Sequence, residues 1–156
     1  MIESVEHEYR GARAMILLHE THMRRFLGVW RRAQERGLPL SATEDPDYAS
    51  LESLLAHVLG CARGYMRWIC TKLELADPEI DTCPDLVSIE AAAEDYLEHV
   101  LARWRLPLRP VAEDRFGETF ESAWGTPYCI DAMLEHAVMH PIRHAFQLEE
   151  LLEQAE

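Results

Sequence analysis

The chain has 156 residues, 48 % of them apolar and 28 % charged, which suits one globular domain with a sizeable core. Its formal net charge of −13 argues against partners that present phosphates, both nucleic acids and anionic membrane surfaces. No apolar run reaches the roughly 20 residues a membrane-spanning helix needs. The opening MIESVEHEYRGAR lacks the basic-then-apolar order of a secretory signal, so a cytoplasmic location is expected.

The first amphipathic stretch runs from about Ile2 to Arg36. Val5, Tyr9, Ala12, Ile16, His19, Met23, Phe26 and Trp30 recur at steps of four and three, the seam of a long helix. Gly37 and Pro39 end it, and SATEDPD reads as a loop. Ser50 is the expected N-cap of a second helix, whose apolar face includes Leu51, Leu54, Leu55, Val58, Ala62, Tyr65, Met66 and Ile69. ADPEIDTCPD breaks that helix. A third starts near Ser88 and continues through IEAAAEDYLEHVLARW, which is rich in strong helix formers.

The segment from Arg105 to Tyr128 is too rich in proline and glycine for a helix, although ETFESAW has the composition of a short strand. Connections of this length often shape a site or a partner surface. Thr126 and Pro127 read as N-cap and first position of a last helix that continues to about Gln154. With four helices and no two strands strong enough to pair, the expectation is an all-α domain. The form expected is a four-helix bundle with a long irregular connection between helices 3 and 4.

Cys61, Cys70, Cys83 and Cys129 form no C-x-x-C pair and are expected to be reduced, buried thiols. The chemistry is expected at histidine instead. His136, His140 and His144 follow one another at intervals of four on the last helix. Side chains at i and i+4 share a helical face, so two imidazoles can reach one metal ion at about 2.0–2.1 Å. Spacing alone does not choose 136/140 over 140/144. Pro141 removes a backbone hydrogen bond between these residues, leaving a kink that either adjusts the rings or has no role.

A third ligand must come from another element, and His57, mid-way along helix 2, is the candidate. A buried imidazole there needs a partner, which a metal, a backbone carbonyl or a carboxylate would each supply. His19, on the seam of helix 1, is either a pocket residue or a hydrogen-bonded core histidine. His7 and His99 are expected to face solvent.

SLESLLAHVLGCARGYMRWI followed by MLEHAVMHPIRHAFQLEELL resembles the DinB/YfiT-like superfamily of bacterial four-helix metalloenzymes. The family pattern has one histidine midway along helix 2 and H-x-x-x-H-x-x-Q on helix 4. The resemblance selects His57, His140 and His144 as metal ligands and places Gln147 at the trailing position. His136 then borders the site. Ala145 and Phe146 stand where small or basic residues are frequent in the family, so pocket details do not carry over.

Three neutral imidazoles leave a divalent ion its full charge and an open position, the arrangement of catalytic rather than structural metal sites. Imidazole suits zinc, nickel, copper or iron, with zinc and nickel the expected ions. The resemblance further implies a low-molecular-weight thiol as cofactor and a thiol-dependent S-transferase acting on small electrophilic molecules. It also implies a homodimer. No general base stands out, His136 and His19 being the candidates. The alternative is a non-catalytic metal-binding stress-response or interaction protein, whose site would be sealed rather than open to a cleft.

Overall fold

A computed structural model describes residues 6–156 and shows a mostly helical chain of four helices and one two-stranded ribbon. Helix α1 spans Arg10–Glu35, α2 Leu51–Lys72, α3 Ile89–Trp104 and α4 Ile130–Gln154. Among the described residues, no helix is long and apolar enough to cross a membrane.

The expected seam of α1 is buried from Ala12 through Ile16, His19, Met23, Phe26 and Trp30 to Ala33. The helix starts later than its periodicity suggests, because Tyr9 is extended and forms the N-cap. Ile2 and Val5 lie outside the described residues. At the other end Gly37 adopts φ +59°, and Leu38 N–H donates to the Ala33 carbonyl at 3.0 Å. This is the left-handed stop that glycine favours after a helix.

Ser50 caps α2 as expected, its hydroxyl accepting from Ser53 N–H at 3.0 Å. The end of α2 had no glycine to mark it. Glu74 takes the left-handed position there, at φ 56°, and Leu75 N–H closes on the Cys70 carbonyl at 2.8 Å. Helix α3 begins after Ser88, although Asp85 does the capping: its carboxylate accepts from both the backbone N–H and the hydroxyl of Ser88.

The connection before α4 differs most from expectation. Strands β1 (Thr119–Glu121) and β2 (Pro127–Cys129) pair antiparallel, with Phe120 opposite Tyr128. Pro127 therefore lies in a strand rather than in the first turn of α4, and Cys129 replaces Thr126 as N-cap, its Sγ accepting from Ala132 N–H at 3.4 Å. Proline is tolerated on an edge strand because it lacks only a donor, and here that position wins over its helix-starting tendency. Trp68 of α2 anchors the ribbon by donating its indole N–H to the Glu121 carbonyl at 3.1 Å.

Helix α1 packs along α4 in the same direction: Tyr9 reaches Asp131 near their starts, Arg25 meets Glu149, and Arg36 meets Glu156 near their ends. Helix α2 packs against both α3 and α4. Between them lies a core containing Phe26, Trp30, Leu55, Met66 and Trp104. Both buried indoles have partners, Trp30 on the Leu51 carbonyl at 2.6 Å and Trp104 on the Ala62 carbonyl at 3.0 Å. These bonds meet the cost of burying an N–H.

Candidate metal centre

The α2–α4 contact brings His57 against His140 and His144. Helix α4 continues through Pro141, which is itself buried, and buries two of its three histidines, His140 and His144. One ligand atom from each ring lies within 4.8 Å of the others. His140 Nε2 stands 3.0 Å from His57 Nε2 and 3.3 Å from His144 Nε2.

Two nitrogens bound tetrahedrally at about 2.0–2.1 Å to one ion sit about 3.3 Å apart, so these separations suit a shared metal. Hydrogen bonding serves the group less well. A neutral imidazole has one N–H, so His140 Nε2 cannot donate to both nitrogens that face it. Burial, reinforced by neighbouring His144, His57 and Arg143, pushes the His140 imidazole down to about 2. Burial, with the charge of His57 adding to it, pushes His144 down to about 4. Both rings are therefore neutral near pH 7, with lone pairs available. The chemistry and spacing of this donor set fit a divalent cation.

The outer nitrogens of two rings are also held. Asp47 Oδ2 lies 3.2 Å from His57 Nδ1, and Gln147 Oε1 lies 3.0 Å from His144 Nδ1. The Gln147 oxygen can only accept, so His144 Nδ1 carries the proton and its Nε2 is left as a lone pair, while the Asp47 carboxylate stands at ion-pair distance from the His57 ring. Acceptors in this position fix the tautomer and orientation of metal-binding histidines. Gln147 is the trailing glutamine of the H-x-x-x-H-x-x-Q spacing. Asp47 was not legible, because it belongs to a short 3-10 turn, Pro46–Tyr48, with no periodicity to tie it to a helix.

The cluster faces a cavity of about 690 Å³ lined by His57 and His140 and, among others, by Tyr65, Trp124, His136 and Arg143. His57 is half-buried, whereas His140 and His144 are buried, so His57 is the ring of the three nearest solvent. The loop of the ribbon supplies Ala123 and Trp124 to the wall, which gives the long connection its place at the site. His136 packs here too, 5.1 Å from Trp124 and 5.3 Å from Tyr65 between ring centres. Tyr48 covers the cluster from the adjoining turn, 5.8 Å from His57 and 5.6 Å from His144. Cys61 also reaches the wall, but burial pushes its thiol up.

The other histidines lie elsewhere. His19 is buried and stacks on Trp104 of α3, ring centres 3.7 Å apart and planes within 9°. It does not line the cavity, and neither of its nitrogens has a hydrogen-bond partner among the described residues, so stacking takes the place of the expected bond. His99 is half-buried rather than solvent-facing, and its Nε2 accepts from Asp81 N–H at 3.0 Å. His7 is likewise only partly exposed. The four cysteines are free, with Cys70 alone fully buried.

No protein-family model, curated protein or solved structure matches the chain. The resemblance to the DinB/YfiT-like superfamily therefore rests on the residues themselves.

Proposed function

We propose that the chain is a four-helix bundle of the DinB/YfiT-like kind and a metal-dependent enzyme, with His57, His140 and His144 holding a zinc or nickel ion. The observation that carries this reading is the approach of three Nε2 atoms from two helices, with His57 and His140 lining an open cavity and His144 buried behind them. A divalent ion bound there supplies Lewis acidity, which withdraws protons from coordinating water or thiols.

The reaction class we favour is S-transfer from a low-molecular-weight thiol to a small electrophile. The protein's own residues support an external thiol. Cys61 is the cysteine on the cavity wall, and burial keeps it protonated and a poor nucleophile. Asp47 and Gln147 orient the ligand rings. His136, kept neutral first by burial and then by the charge of Arg143, has a basic nitrogen to offer in the cavity, whereas His19 is too remote to serve. The open cavity also favours an enzyme over a non-catalytic stress-response or interaction protein, in which the cluster need not meet solvent.

Metal analysis by mass spectrometry tests this directly. Wild type should carry about one zinc or nickel per chain after equilibration with either ion, and His57→Ala should lose most of it. His57 is partly exposed, so its truncation should leave the fold intact, as circular dichroism can verify. Failure of the wild type to take up either ion would end the metalloenzyme reading.

A further inference from the structure

The cavity beside the three histidines has a charge pattern opposite to that of the chain as a whole. Asp and Glu number 28 against 15 Lys and Arg. Surface arginines are widely engaged by this excess: Arg25 pairs with Glu149, Arg31 with Glu94 and Arg105 with Glu20. Arg143 lines the cavity, yet it makes no hydrogen bond or ion pair with any described residue. Among the described residues, no Asp or Glu lines that cavity either. Asp47, the carboxylate of the adjoining turn, lies against His57 Nδ1 instead.

The shape of the cavity is as specific as its charge. Ala56, Gly60 and Gly64 recur every four residues along the face of α2 that forms one wall. A Cβ added at Gly60 or Gly64 would meet nothing within 4 Å, so both glycines open onto free space. Aromatic rings, Tyr65, Trp68 and Trp124, make up much of the remaining lining. A flat floor with aromatic walls accommodates a planar ring, and a guanidinium without a carboxylate is a ready partner for an anion.

We propose that this cavity takes a planar aromatic or unsaturated small molecule bearing one anionic group, its ring along the Ala56–Gly60–Gly64 floor and its anion on Arg143. The inference rests on the proposed function only in making this molecule the electrophile of the reaction. Arg143 is solvent-exposed, so it offers an anion an accessible guanidinium without a carboxylate partner among the described residues, on a protein whose net charge is otherwise acidic.

The test uses 2-naphthoate and its neutral counterpart 2-naphthamide, titrated calorimetrically into chelator-treated and metal-loaded protein. In chelator-treated protein naphthoate should bind about tenfold more tightly than the amide, the yield of one charge-assisted contact. Arg143→Gln should bring the two affinities to within about twofold of each other. Gly60→Leu, which puts a side chain into the floor and suits a helix better than glycine, should remove binding of both. Equal affinities in wild type, no binding of either probe, or a naphthoate advantage that survives Arg143→Gln would each overturn the proposal. So would an advantage confined to metal-loaded protein, since the carboxylate would then be bound by the ion rather than by Arg143. Metal content measured on the same samples reports separately on the three histidines, so the two readings can fail independently.

Discussion

At the scale of single residues, Asp47 is the polar partner of the His57 ring, as Gln147 is of His144. Its carboxylate sits 3.2 Å from His57 Nδ1 and presents the other nitrogen of that ring to His140. Loss of such an outer acceptor typically lowers metal affinity 10- to 100-fold. Asp47→Ala should therefore weaken zinc or nickel binding by about that factor, measured by competition with a chromophoric chelator, while leaving the helical content unchanged. Unchanged affinity would show that the His57 ring is held by packing alone. The contrast between His57 and Asp47 also marks what can be read from the chain. His140 and His144 are legible because a spacing of four puts them on one helical face. Asp47, Tyr48 and Arg143 are not, because their relation to the site arises from how a turn and two helices meet.

At the scale of elements, periodicity and capping chemistry locate most of the helices, and the misses have local causes. Strand β1 lies within the ETFESAW segment whose composition suits a strand, but its partner β2 is not legible because it is three residues long and Thr126–Pro127 also reads as a helix start. The end of α2 carries no glycine, since Glu74 accepts the left-handed conformation that Gly37 provides after α1. These two positions make the cost of that conformation measurable. A Cβ at Gly37 meets nothing within 4 Å, so Gly37→Ala adds no clash and its effect is purely conformational. It should cost about 1 kcal/mol, read as a lower urea midpoint with unchanged slope. A neutral outcome would mean that the chain after α1 can end the helix in another way. Either result bears on the site, because this stop directs the chain into the segment that delivers Asp47 and Tyr48.

For the molecule as a whole, the buried histidines should govern the response to acid before the carboxylates do. His19, fully enclosed against Trp104, is pushed down to about 3 by burial and then by the charge of His22. In the unfolded chain it returns to about 6.5. Below that value the unfolded state binds a proton that the folded state refuses, so its contribution to stability is complete above about pH 6.5 and declines as pH falls toward 3. One such group gives a slope of about 1.4 kcal/mol per pH unit within this window. In metal-free protein His140 and His144 act in the same direction, because both are depressed below their ordinary value chiefly by burial. A bound ion would steepen the loss further, since protons compete for the same lone pairs. Urea unfolding of chelator-treated protein should therefore show nearly constant stability from pH 7 to 8 and a steep decline between about pH 6 and 5, where most ordinary carboxylates remain ionised. His19→Phe keeps the ring that stacks on Trp104 but removes the titrating group. It should reduce the slope in that window by about one proton's worth while leaving metal content unchanged, because His19 lies outside the cavity. An unaltered slope would show that His19 takes up its proton in the folded state, and the acid response would then belong to His140 and His144.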